Sequence, residues 1–217
     1  SPRVAAIFDM LYRYALNLSG NCAFNSWQDS NFDVKTLLSF FETQSYALGF
    51  QYSYILKLKA SVHLDDLSAL QNNSLDLESV LSAMTQKRVA LLSLWSHFYL
   101  FLAKMSLYPT LSGKQKVKMH RQLFKLHRAV KSWVKFCPEN FAHCEVLMRA
   151  EITGLKGDLK KSLKLYDEAI ALATKHQLPE IACLAALRAL KLCFTKNNPE
   201  LTYQYAHKMV FDICKDA

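Results

Sequence analysis

Glycine and proline are scarce in this chain, with five of each among 217 residues. An all-β chain of that length needs turn residues about every 8–12 positions, so the scarcity excludes that class and points to helices. No apolar run reaches the ~18 residues that span a bilayer. The longest candidate, Val89 to Leu102, is broken by Ser93, Ser96 and His97 and flanked by Arg88 and Lys104, and it reads as a buried helix. No signal peptide is expected, because Ser1-Pro2-Arg3 leads straight into an amphipathic segment carrying Asp9 and Arg13; the start without Met suggests a fragment. None of the six cysteines (Cys22, Cys137, Cys144, Cys183, Cys193 and Cys214) forms a Cys-x-x-Cys pair. Dispersed cysteines in a helical chain point to reduced, buried thiols and a cytoplasmic location. Cys137, His143 and Cys144 come nearest to a metal cluster but lack a second ligand pair, so no metal or other cofactor is expected.

Catalytic motifs are also missing. There is no Gly-x-x-x-x-Gly-Lys loop, no kinase catalytic loop and no nucleophile elbow. His97 falls in an apolar aromatic segment, His120 and His127 in a basic helix, and His176 at a helix end where a cation suits the dipole. His143 and Cys144 are sequence neighbours, and adjacent helical side chains do not face each other. The reading is therefore a non-enzyme. An active site hidden between helices would leave no linear motif and stays open. Asp65-Asp66 and Asp167-Glu168 are expected to be solvated surface acids.

Acidic residues are absent from Ser79 to Pro138, where eleven Lys and Arg occur; this segment holds the net charge of +9, since the flanking parts nearly balance. Half the residues are apolar (51%) and a fifth charged (21%), a composition that builds a packed core and not a disordered chain.

Three-four spacing predicts a first helix over residues 3–18, with Val4, Ile7, Phe8, Leu11, Tyr12, Ala15 and Leu18 as its apolar stripe. A second helix is expected after a cap at Asp33, carrying Leu37, Leu38, Phe41, Tyr46 and Leu48 and ending at Gly49. Residues 50–62 alternate as a strand would, but no second strand is available to pair with them, and helix is favoured. Ser74 is read as the cap of a long helix through Leu77, Leu81, Met84, Leu91, Trp95, Phe98 and Leu102, ending at Tyr108-Pro109. Ser112 caps the next, whose core stripe is Met119, Leu123, Leu126, Val130 and Trp133, continuing to Phe136. Pro138, Pro179 and Pro199 each mark a helix start. The C-terminal third thus reads as helices over 139–155, 158–175, 180–195 and 199–215, forming two antiparallel pairs.

Helical hairpins bury their apolar faces by stacking, and small residues let them approach. Ala150 lies seven residues before Gly157, and Ser162, Tyr166, Ala169 and Ala173 follow it. Ala182, Ala185, Ala186 and Ala189 supply a second small-residue face, opposed by Tyr203, Ala206 and Val210. The expected fold is all-α, with antiparallel helical hairpins stacked as a tetratricopeptide-like repeat array. It is read as a single domain over 1–217, with divergent helices in 1–110 and recognisable hairpins in 111–217.

The run Trp133…Cys137-Pro138-Glu139-Asn140-Phe141…His143, then Ala150-Glu151, Gly157-Asp158 and Tyr166-Asp167…Ala169-Ile170…Ala173, resembles the helical-repeat region of large multidomain signalling proteins. Those join a kinase-like domain, a signalling ATPase, this helical region and often a histidine-kinase module. The aromatic segment Trp95-Ser96-His97-Phe98-Tyr99 fits the same pattern, and the resemblance covers roughly residues 90–215. It implies a cytoplasmic, regulatory, protein-contacting segment of a larger signalling protein, with none of the parent's catalytic parts.

Two surfaces are candidates for contact with a partner. The concave face of a repeat array would present Leu147, Glu151, Leu155, Arg188 and Lys191 to a peptide or a neighbouring domain. Glu151 has an alternative, as the intramolecular partner of Arg149 or Arg188. Lys114, Lys118, Arg121, Lys125 and Arg128 form a basic face on the helix within 113–136. It is read either as a solvated face, as a site for an acidic protein, or as an electrostatic binder of nucleic acid or an anionic membrane.

Overall fold

A computed structural model describes residues 1–83 and 90–213. Among them the chain is helical, without a strand; one isolated bridge joins Gln28 and Asp33. It forms two compact units, Ser1–Leu126 and His127–Ala217.

The first unit contains α1 (Pro2–Ser19), α2 (Val34–Thr43), α3 (Ala47–His63), α4 (Leu67–Ala83) and α5 (Ala90–Leu107). A 3₁₀ turn (Tyr108–Thr110) leads into α6 (Gly113–Val134), whose residues from His127 onward belong to the second unit. At the centre, α3 packs against α1, α2, α4 and α5. That position explains the ambiguous pattern of residues 50–62. A helix enclosed on most sides has no single apolar stripe, and Ile55, Leu56, Leu58, Ala60 and Val62 are all buried. Its buried polar groups find partners across the core. Gln51 Nε2 donates to Ser96 Oγ of α5 at 3.2 Å, and Asn73 Nδ2 of α4 donates to Ser61 Oγ at 2.8 Å.

The face of α1 differs from the expected one. Phe8 and Tyr12 are 64% and 67% exposed, and Val4 is exposed too, whereas Ala6, Met10, Arg13, Tyr14 and Asn17 are buried. Arg13 is the reason. Its Nε donates to the Ser26 carbonyl at 2.9 Å, Nη2 donates to the Gln28 carbonyl at 3.0 Å, and Nη1 pairs with Asp29. One buried guanidinium thereby fastens the 20–33 loop to the helix, bringing Trp27 into the cluster of Met10, Tyr14, Val34, Leu56 and Ala60.

The second unit contains α7 (Pro138–Leu155), α8 (Leu159–Lys175), α9 (Pro179–Thr195) and α10 (Pro199–His207), followed by a π-helical stretch, Lys208–Ile213. Successive helices pack on one another, and α7 also reaches α9. The small residues lie at these contacts: Ala150, Ser162, Ala169, Ala173, Ala182, Ala185, Ala186 and Ala189 are fully buried. Ser162 Oγ donates to the Ala150 carbonyl at 2.8 Å, so the hydroxyl is satisfied where the helices touch. The three proline starts hold. At Asn198 the side chain accepts from Leu201 N–H at 3.1 Å, as an N-cap should.

Helix ends account for the expected boundaries that differ. Gly49 does not end α2 but lies in the first turn of α3; α2 stops at Thr43, with Ser45 left-handed at φ 49°. Ser74 is not a cap but a buried residue within α4, whose actual cap is Asp66; its carboxylate accepts from Ala69 N–H at 3.0 Å. Asp65-Asp66 is therefore a helix junction, with Asp65 at φ 52°. Phe136 does not continue the α6 core; it is 81% exposed. In α10 the buried tyrosine is Tyr205, and Tyr203 points outward. Met84 and the side chain of Val210 lie outside the described residues.

Gly20, Ser45, Asp65, Gly157, Gln177 and Asn197 all have positive φ and terminate a helix. In each case the next residue's N–H reaches back five positions, as in Asp158 to Thr153, Leu178 to Ala173 and Asn198 to Cys193. This is the Schellman arrangement. A side chain in the left-handed region is disfavoured by about 1 kcal/mol or more. Gly157→Ala should therefore lower stability by about 1 kcal/mol, while Gln177→Gly raises it by a few tenths to about 1 kcal/mol in urea titrations. Gly49→Ala should be more damaging, about 1–3 kcal/mol, because its Cβ would lie 2.6 Å from the Tyr46 ring and 2.8 Å from Phe41.

Candidate functional site

The expected concave face divides into a buried part and an exposed part. Leu147 is fully buried. Glu151 is buried as well, and its carboxylate accepts from Tyr166 Oη at 2.7 Å. Arg188 of α9 grips the same carboxylate with two nitrogens, Nε on Oε1 and Nη2 on Oε2 at 2.9 Å. Glu151 thus takes its intramolecular alternative, with Arg188 and not Arg149, and ties α7, α8 and α9 together. Burial, reinforced by the Glu151 charge, pushes the Tyr166 hydroxyl well above its ordinary pKa, so it remains a donor. Leu155 is half-buried and Lys191 is exposed. One turn beyond Lys191, Phe194 is 75% exposed, a residue the sequence pattern did not single out. Its only signal was its place outside the Ala182–Ala189 small-residue face.

A second ionic group lies along α7. Glu145 accepts from His127 Nε2 at 3.0 Å and faces Arg149 at 3.8 Å; Arg149 also meets Glu168 at 3.6 Å. Burial raises the Glu145 pKa, but the hydrogen bond from His127 and the surrounding cations outweigh it, and the carboxyl titrates below its usual range. Asp167, exposed beside Glu168, accepts from Lys208 at 2.8 Å and from Tyr205 at 3.1 Å. These acids hold helices together.

The histidine and cysteine candidates do not assemble a reactive centre. His143 is fully buried, and neither ring nitrogen has a hydrogen-bond partner among the described residues. Burial, with a smaller contribution from His176, lowers its pKa to about 4, so it is neutral near pH 7. Beside it, the Cys144 thiol is pushed upward by complete burial and stays protonated. His97 donates to the Ser93 carbonyl within its own helix. Among the described residues, no three His, Cys, Asp or Glu side chains are placed to hold a metal ion. A hollow of about 450 Å³ beside α2 and α3 is walled by Phe41, Tyr46, Phe50 and Val80, with Glu42 at its edge.

The basic face is presented in full: Lys114, Lys118, Arg121, Lys125 and Arg128 are all exposed. Val117 and Phe124 are exposed beside it, where the core stripe would have hidden an aromatic residue. The Phe124 ring meets the His120 ring at an edge, with 4.8 Å between centroids. Lys104 lies elsewhere, buried between Glu78 (3.0 Å) and Gln122 (3.2 Å). No described helix is long and apolar enough to cross a membrane.

Comparison with protein-family models, curated proteins and solved structures found no match.

Removing Glu151 alone takes this carboxylate away from the buried Arg188 charge, so Glu151→Ala should lower stability by about 3–5 kcal/mol, with Glu151→Met/Arg188→Met recovering most of the loss in denaturant melts. His143 sets a pH dependence. The unfolded chain takes its proton near pH 6.5 and the folded chain near pH 4. Stability from this group is therefore complete above pH 6.5 and falls by about 1.4 kcal/mol per unit as pH drops towards 4. His143→Leu should remove that slope, read as the difference between the two proteins' melting curves.

Proposed function

We propose that the chain is a non-catalytic helical-repeat module whose task is to hold a protein or peptide partner. In this reading α7–α8 and α9–α10 are antiparallel hairpins of a tetratricopeptide-like array, acting as a cytoplasmic regulatory segment of a larger signalling protein. The observation that carries it is the regularity of the helix ends. Left-handed residues close α7, α8 and α9 at 157, 177 and 197, twenty residues apart, and the same interval separates Ser45 from Asp65 in the first unit. Equal helices closed by equal turns are what stacked repeats require. The two-helix period of forty residues exceeds the ~34 of a standard tetratricopeptide repeat, and the helices are correspondingly longer.

The contact surface in this reading is the exposed remainder of the concave face: Leu155, Lys191 and Phe194, with Arg188 held in place behind them by Glu151. An aromatic residue beside a cation is a composition favoured at interaction hot spots. The test is affinity capture at high salt with the folded protein and its Lys191→Glu/Phe194→Ser variant. The expected result is a stoichiometric protein partner retained by the wild type and by Lys118→Glu/Arg121→Glu/Lys125→Glu, but released by the α9 variant. Equal retention by all three proteins, or no retained protein, would overturn the reading.

A further inference from the structure

We infer that the exposed arc of α6 from Lys114 to Lys125 docks on an anionic lipid surface. The argument rests on the first unit alone and is independent of the α9 surface. At 100° per residue, Lys114, Lys118, Arg121 and Lys125 fall within an arc of roughly 60°, and at 1.5 Å per residue they span about 16 Å. All four are exposed, and among the described residues none is in an ion pair. There is no Asp or Glu anywhere on α6 or in the segment that leads into it from Ser79. Two nearby cations of the first unit are differently placed: Lys104 is paired with Glu78, and Lys116 lies over the Tyr108 ring, 5.6 Å from its centroid. The arc is therefore an uncompensated row of positive charge along one face of a helix.

Two exposed apolar side chains border this row on one side only. Val117 is 55% and Phe124 37% exposed, and both lie roughly 70–90° from the centre of the arc. Nothing in the buried stripe of Leu123 and Val130 requires apolar residues there. Cations flanked by an aliphatic and an aromatic side chain suit a membrane interface. The ammonium and guanidinium groups meet phosphate and carboxylate headgroups, while Val117 and Phe124 enter the acyl boundary. Cations aligned on one helix face can meet a plane together. Nucleic acid is served less well, since base stacking needs open aromatic faces among the cations. Val117 has no ring, and the Phe124 ring is already engaged by His120.

The test is co-sedimentation with phosphatidylcholine vesicles, with and without phosphatidylserine, at low and high salt. Binding should require phosphatidylserine and weaken with salt. At about 1 kcal/mol per cation near the surface, Lys118→Glu/Arg121→Glu/Lys125→Glu should reduce affinity at least about 100-fold, with Lys118→Gln/Arg121→Gln/Lys125→Gln falling between it and the wild type. Val117→Ser/Phe124→Ser should reduce affinity about tenfold while leaving the charge intact. These side chains are exposed, so circular dichroism should be unchanged in every variant. Equal binding to both kinds of vesicle, or none to either, would overturn the inference. So would tighter binding to a single-stranded oligonucleotide or to polyglutamate that survives Val117→Ser/Phe124→Ser.

Discussion

Each helix that ends in a left-handed residue must find donors for the carbonyls of its last turn and a new direction for the chain. Here one solution recurs: the N–H after the left-handed residue reaches back five positions, and three residues separate one helix from the next, except after Gly20, where the 20–33 loop follows. Gly20, Ser45, Asp65, Gly157, Gln177 and Asn197 all serve this role. The packing of successive helices in the second unit follows turns of this kind. Turns this short place α8 directly on α7, and α9 on α8, so that the alanines meet at a contact where larger side chains would hold the helices apart.

The buried charges act between elements in the same way. Arg13 draws a loop onto α1, Lys104 reaches Glu78 of α4 and Gln122 of α6, and Glu151 joins three helices through Tyr166 and Arg188. Such groups are costly to desolvate and are tolerated because each meets several partners. Most of the acids with interhelical partners lie away from α6. The charge asymmetry visible along the chain thus becomes a spatial one: acids lie inside the ionic contacts between helices, while the cations of α6 face outward.

Function in this chain is proposed for surfaces and not for a pocket. The buried histidine and cysteine at the start of α7 are both neutral near pH 7. Each proposed contact combines exposed apolar residues with cations: Phe194 beside Lys191, and Val117 and Phe124 beside the cations of α6. They belong to different units, so the two proposed contacts stand or fall separately.

Much of the helical layout was legible in the chain itself. Scarce glycine and proline excluded an all-β fold, Pro138, Pro179 and Pro199 located three helix starts, and the charge pattern of α6 foretold an exposed basic face. These are local effects: a proline fixes its own φ wherever it sits, and a charge without a partner seeks water. What only the tertiary structure decided were the helix ends at Ser45 and Asp65, the buried face of α1 and the fate of Glu151. Serine and aspartate carry no strong local demand for a left-handed conformation; packing of the flanking helices imposes it. In α1, apolar residues occupy more than one face, and the choice fell to Met10 and Tyr14 because Arg13 and Asn17 beside them meet the loop that follows the helix, whose folding back no local pattern gives. For Glu151, burial or exposure turned on Arg188, 37 residues away, which no local pattern could place.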